Sequence, residues 1–162
     1  MKLSFSRVDK FNHGKIDGIY KILKKSGQNM YNEKGLYHWL RPYPINLIKE
    51  DCEKKEVFIA QELETMMYLH TFQLRFYLLK GTKKIAEISK FATLPEAEGK
   101  GIGKRSMNFI EDYCRDRNTT KITLEVYDKS INAINFYLNR GFIIIGSKPT
   151  NHFTVNIMEK EL

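Results

Sequence analysis

The residues best suited to chemistry lie between Phe91 and Lys104. The stretch Phe91-Ala92-Thr93-Leu94-Pro95-Glu96-Ala97-Glu98-Gly99-Lys100-Gly101-Ile102-Gly103-Lys104 puts three glycines in five positions, with Lys100 among them and Lys104 just beyond. An apolar strand-like run precedes the glycines and helical spacing follows them, so a strand turns through glycine into the start of a helix. The first turn of a helix leaves backbone N–H groups without partners and carries a partial positive charge. Glycine lets that backbone come close to a ligand. Together these features make a cradle for phosphate. Spacing narrows the choice of ligand. A Walker loop needs GxxxxGK followed by Ser or Thr; here Gly99 stands four residues before Gly103, and Arg105 follows Lys104. A dinucleotide loop needs GxGxxG. The spacing here is GxGxG, although Glu125 lies about twenty residues on, where that motif places its acidic residue. A nucleotide-dependent oxidoreductase stays open as an alternative, as does a turn that binds nothing.

Other reactive side chains are scattered. Cys52 and Cys114 are too few for a disulfide scaffold and lack metal-type spacing, so both are expected as free thiols, Cys114 in the core. His13, His38, His70 and His152 stand singly, and no metal site is expected. The formal net charge of +8 suits nucleic acid, an anionic membrane surface or an anionic small ligand. The basic residues are dispersed in pairs such as Lys24-Lys25 and Lys83-Lys84, with no run of five. That disfavours nucleic acid and leaves a polyanionic cofactor or plain surface solubility.

The elements that must position these residues can be read from periodicity. The 162 residues fit one domain spanning 1–162, long enough to bury a sizeable core. No apolar run approaches the roughly 20 residues of a membrane span, and Met1 to Lys10 lacks the apolar block of a signal peptide; a cytoplasmic protein is expected. Alternation marks strands at Leu3–Val8, 57–63, 67–79, 85–94 and 121–127. Helical spacing marks 11–25, with Gly27 read as the stop, then 46–54, 104–117 and 130–139, the last capped by Ser130. Residues 142–146 and 152–158 close the chain as a hairpin. The order β–α–α–β–β–β–α–β–α–β–β predicts an α/β fold, a mixed central sheet of about seven strands flanked by about four helices.

On these motifs the sequence resembles the GNAT (GCN5-related) N-acetyltransferase superfamily. That family's signature is Gln/Arg-x-x-Gly-x-Gly/Ala at the end of the fourth strand. Glu98-Gly99-Lys100-Gly101-Ile102-Gly103 matches it except at the first position. Glu98 would repel a pyrophosphate, so it is expected to point to solvent while backbone N–H groups bind. A second stretch, Ser130-Ile131-Asn132-Ala133-Ile134-Asn135-Phe136-Tyr137-Leu138-Asn139-Arg140-Gly141-Phe142, resembles the family's Asn-x-x-Ala-x-x-x-Tyr-x-x-x-Gly-Phe, with Ser130 in place of Asn. The resemblance implies a single-domain GNAT-like fold and acetyl transfer from acetyl-CoA to a primary amine, without a metal. It implies that the backbone of Phe91, Ala92 and Thr93 pairs with the pantetheine arm. Gly99, Lys100, Gly101, Ile102, Gly103 and Lys104 would hold the pyrophosphate, and Ser130 and Ala133 would sit beside the cofactor. Tyr137 would protonate the leaving thiolate; by spacing alone it reads as a core aromatic beside Ile134 and Leu138. Some members carry a carboxylate base on the strand before the glycines, and Glu87 takes that place. Alternation puts Glu87 on one face with Ser89 and Phe91; its alternative is a solvent-facing pair with Lys83 or Lys84.

The acceptor is not readable beyond an amine on a small molecule or peptide. The aromatic, irregular segment from Tyr31 through Trp39 to Tyr43 is expected to line its site, with Trp39 equally readable as a core plug. A non-catalytic CoA-binding module remains a second alternative, and a homodimer is left open.

Overall fold

The computed structural model describes residues 1–162. Its strands are β1 (Leu3–Arg7), β2 (Glu56–Glu62), β3 (Tyr68–Leu79), β4 (Lys83–Thr93), β5 (Lys121–Tyr127), β6 (Ile143–Pro149) and β7 (Thr154–Glu161). Its helices are α1 (His13–Lys34), α2 (Ile45–Lys54), α3 (Ile102–Arg115) and α4 (Ile131–Asn139), with a 3₁₀ turn at Pro95–Ala97 before α3. The element order is the one the periodicity predicts. One sheet holds all seven strands in the order β1-β2-β3-β4-β5-β7-β6. The pairings are antiparallel except β4 with β5. The closing hairpin is therefore inserted, with β7 pairing on both sides and β6 at the edge. No helix is long and apolar enough to cross a membrane.

Each sheet face buries its own apolar cluster. The α3/α4 face packs Phe72, Ala86, Ile88, Met107, Cys114 and Tyr137, among others. The α1/α2 face packs Ile16, Ile19, Ile48, Ile59 and Ala92. Cys52 and Cys114 are free thiols.

Gly27 does not end α1. The helix continues to Lys34 and stops at Gly35, whose left-handed φ of 66° lets its N–H reach back to Met30 and Tyr31 carbonyls. Gly27 is buried mid-helix, where a Cβ would overlap the Trp39 backbone carbonyl. The missing Cβ permits this close approach, which seats the aromatic segment that follows α1. Gly27→Ala is expected to destabilise by about 1–3 kcal/mol through overpacking, lowering Tm by roughly 2–4 °C per kcal/mol. Gly14→Ala, whose Cβ would meet only Asn12 Oδ1 at an ordinary 3.8 Å, is expected to gain up to about 1 kcal/mol in helix propensity. Thermal unfolding of the two variants checks the contrast.

A β-bulge in β4 decides which side chains face which layer. Thr71 pairs with Ala92, and Gln73 with Ser89, so Lys90 and Phe91 together oppose Phe72. Lys90 takes a φ of 52°, an uncommon conformation for a side chain with a Cβ. The extra residue reverses the alternation. Glu87 and Ser89 share the α1/α2 face, but Phe91 packs on the α3/α4 cluster; the expectation that all three share one face is corrected.

Candidate active site

The glycine turn is built as the sequence predicts. Gly99 and Gly101 sit at φ 74° and 75°, and Gly101 is the N-cap of α3, with no side-chain cap. The N–H groups of Ile102, Gly103 and Lys104 have no partner in the protein; the first ladder bond runs from Arg105 N–H to the Gly101 carbonyl at 3.1 Å. These donors border a cavity of about 630 Å³, which Thr93, Gly99, Gly103, Lys104, Phe136 and Arg140 also line. Lys100 is exposed and outside that lining. Glu98 is exposed, as expected, yet stands on the cavity wall rather than clear of it.

Beside the turn the sheet splits. β4 and β5 pair only from Ile85 with Lys121 to Ile88 with Leu124. Beyond that, Ser89–Thr93 pairs with β3 alone and Glu125–Tyr127 with β7 alone. The strand edges at Phe91, Ala92 and Thr93 therefore face a gap with backbone groups free to pair with an extended ligand. His70 was not anticipated here. Fully buried, it bonds Thr93 Oγ1 through Nδ1 at 2.8 Å and packs edge-on against Phe91 at 4.4 Å. Burial lowers its pKa to about 3, so it is a neutral prop for Thr93.

Helix α4 closes the gap. Ser130 is its N-cap residue, but its hydroxyl makes no cap bond, which corrects the expected capping role. Its Oγ is buried without any partner, and a buried hydroxyl left unpaired is costly unless a ligand uses it. Ala133 lies one turn on, against the α3/α4 cluster. Tyr137 is 8 % exposed, packs edge-on to Phe91, Phe136 and Phe142 at 6.1, 5.3 and 5.6 Å, and has its pKa raised by burial. Arg140, also unanticipated, reaches the cavity wall from the C-cap of α4. Its Nη2 donates to Asn108 Oδ1 at 2.6 Å and Glu111 Oε1 at 3.3 Å, while its buried Nε has no partner.

On the opposite face, Glu87 is paired with neither Lys83 nor Lys84. Arg75, its register partner on β3, donates from Nε and Nη2 to its two oxygens, each at 3.3 Å. Glu87 thus lies across the sheet from Tyr137. Trp39 and Tyr43 are brought together with Lys90 around a second cavity of about 130 Å³. Trp39 also packs against the α1/α2 cluster, so it serves core and cavity at once. Tyr31 is exposed on the last turn of α1, outside that lining. His38 stacks at 4.5 Å on Tyr127 at the end of β5, carrying the segment across the split. Burial first, then the charge of Lys90, lowers its pKa to about 4.

The unpartnered donors of α3, the open strand edges and the free Ser130 hydroxyl fit a long ligand with a pyrophosphate at one end, as coenzyme A has. No group of three or more His, Cys, Asp or Glu side chains could hold a metal. The model of the acetyltransferase (GNAT) family matches residues 16–142. No curated protein sequence matches. Among solved structures, the PaiA N-acetyltransferase from Thermoplasma acidophilum in complex with coenzyme A superposes with a TM-score of 0.77 at 17 % identity, covering all of both chains. The NatC complex bound to Gag peptide and CoA gives 0.76 at 17 %, covering 100 % of this chain and 99 % of that one. A spermidine N-acetyltransferase chimera from Vibrio cholerae and hSSAT gives 0.75 at 19 %, covering 99 % and 96 %. At such identities the likeness is one of fold.

Proposed function

The chain belongs to the acetyltransferase (GNAT) family, whose co-substrate is acetyl-CoA, and from that premise we propose that it moves the acetyl group to a primary amine by direct attack on the thioester through a tetrahedral intermediate. The observation that carries this reading is the row of unpartnered N–H groups at Ile102, Gly103 and Lys104, set where β4 parts from β5. The α3 donors and dipole hold the pyrophosphate without a metal. The open edge of Phe91–Thr93 pairs with the pantetheine amides, and Ser130 Oγ gives its hydrogen bond there. Tyr137 on one face of the split and the Trp39–Tyr43 segment on the other would then flank the thioester. Tyr137, protonated at neutral pH like any phenol, is the group that would give its proton to the departing sulfur.

The acceptor enters from the α1/α2 side as a small-molecule or peptide amine. Among the structural relatives one is bound to a peptide and another is a spermidine N-acetyltransferase, so the fold itself does not choose. A melting-temperature and calorimetric titration with acetyl-CoA, followed by thiol release over amino acids, polyamines, aminoglycosides and peptides, tests the reading. No shift and no heat at millimolar acetyl-CoA would refute it.

The ammonium form of the acceptor must lose a proton before attack. Glu87 is one candidate base; a chain of water to bulk solvent is the other. Both Glu87 oxygens already accept from Arg75, which favours the water route. Glu87→Gln is then expected to keep the wild-type pH–rate profile. A variant that is slow at neutral pH and recovers at high pH, where free amine is abundant, returns the role to Glu87.

A further inference from the structure

The acetyl-transfer reading leaves the acceptor open, and the small cavity beside the β4 bulge bears on it. Its walls are Leu23 from α1, His38, Trp39, Arg41 and Tyr43 from the following segment, and Lys90 from the bulge. Two of these side chains are cations and none is acidic. Neither Arg41 nor Lys90 forms an ion pair within the protein. Lys90 Nζ instead lies over the rings of Tyr43 at 4.2 Å and Trp39 at 5.7 Å. The nearby carboxylate, Asp51, is buried and committed: it accepts from the Tyr43 hydroxyl at 2.7 Å and from Gln73 Nε2 at 2.9 Å. His38, held neutral, offers no compensating charge.

An ammonium kept partly out of water on a strained, left-handed backbone has a cost that aromatic faces offset only in part. Non-glycine residues in that conformation persist where the surroundings demand them and cluster at ligand sites. Here the bulge is what turns Lys90 toward the cavity, on the side of Ser89 rather than that of Phe91. The volume is small, about 130 Å³. It has room for a small anionic head group. A cationic ligand in it would meet Arg41 and Lys90 and be repelled.

Resting on the acetyl-transfer reading, we propose that this cavity binds an oxyanion carried by the acceptor itself, so that the substrate is an amine bearing a carboxylate or phosphate and not a polyamine, with Lys90 and Arg41 as the specificity-determining residues. The shared chemistry is a charge-assisted hydrogen bond to an oxyanion, which both cations can give.

Acetyl transfer measured on matched acceptors tests this. The panel pairs an amino acid with its amide, and an aminoalkyl phosphate with the corresponding amino alcohol, and adds spermidine. The wild type is expected to favour one anionic member over its neutral partner by at least about tenfold in kcat/KM, and whichever pair shows it identifies carboxylate or phosphate. Lys90→Gln and Arg41→Gln are each expected to shrink that ratio by about tenfold through KM, Lys90→Arg to restore it, and all three to keep the acetyl-CoA melting shift. Arg41 lies on an exposed segment, so its variant stands as a test even if Lys90→Gln fails to fold. Preference for spermidine, equal use of the anionic and neutral members in both pairs, an unchanged ratio in both variants, or binding of acetyl-CoA with no turnover of any member overturns the inference while leaving acetyl-CoA binding intact. Absence of acetyl-CoA binding overturns the acetyl-transfer reading and the inference with it.

Discussion

Tyr137→Phe is expected to slow acetyl transfer by roughly 10²–10⁴-fold, the usual contribution of a general acid, while the protein keeps its fold and its affinity for acetyl-CoA. The ring is wedged edge-on among Phe91, Phe136 and Phe142, and phenylalanine preserves that packing. The hydroxyl bonds to no protein group, so its removal orphans no partner and stability should change little. Burial raises the pKa of the phenol, because the phenolate would sit in an apolar site. The group therefore stays protonated through the neutral range, and the rate loss should be uniform with pH. The sign for stability follows from the same shift. The unfolded chain begins to release this proton near pH ~10 while the native state retains it. Native stability thus has its full contribution from Tyr137 below that pH and loses it as pH rises further. The phenylalanine variant lacks that component of alkaline destabilisation. Steady-state rates, acetyl-CoA titration and alkaline melting together check the prediction; an unchanged rate makes Tyr137 a core aromatic only.

Gly101→Val is expected to abolish acetyl-CoA binding. With φ at 75°, a β-branched residue is strained by about 1–2 kcal/mol. Nothing in the protein lies within 4 Å of a Cβ built there, so the valine branch would stand in the open space of the cradle rather than in the core. Both effects act on the ligand side: the branch obstructs close approach, and relief of strain turns the α3 donors away. At a hundredfold excess over Kd, acetyl-CoA should stabilise the wild type by about 2.7 kcal/mol, a rise in Tm of roughly 5–10 °C at 2–4 °C per kcal/mol. The valine variant should show less than about a tenth of this. Gly101→Asn, which tolerates the left-handed region, should fold as well as wild type and keep part of the shift. A full shift in Gly101→Val would remove the cradle from the binding site.

Element types and their order were legible in the sequence because they rest on local repetition. Ile122, Leu124 and Val126 alternate with Thr123, Glu125 and Tyr127, and Met107, Ile110 and Cys114 recur at helical spacing; those side chains do line the α3/α4 cluster. The glycine turn was legible for the same reason, since a left-handed N-cap and a run of free N–H groups need only a few adjacent residues. What remained hidden depends on groups far apart in the chain. Gly27 reads as a helix stop until the Trp39 carbonyl is found against it. Ser130 reads as a cap until its hydroxyl is found unbonded. The bulge at Lys90 leaves no mark in the residue pattern. Alternation counts residues, whereas facing is set by which hydrogen bonds the neighbouring strand makes, and one extra residue opposite Phe72 reverses every face after it. The sequence alone determined the fold class, the family signatures and the glycine turn before α3. The tertiary structure alone decided that Phe91 parts company with Glu87, that His70 props Thr93, and that Lys90 meets Trp39 and Tyr43, because each is a contact between elements that only the packed sheet brings together.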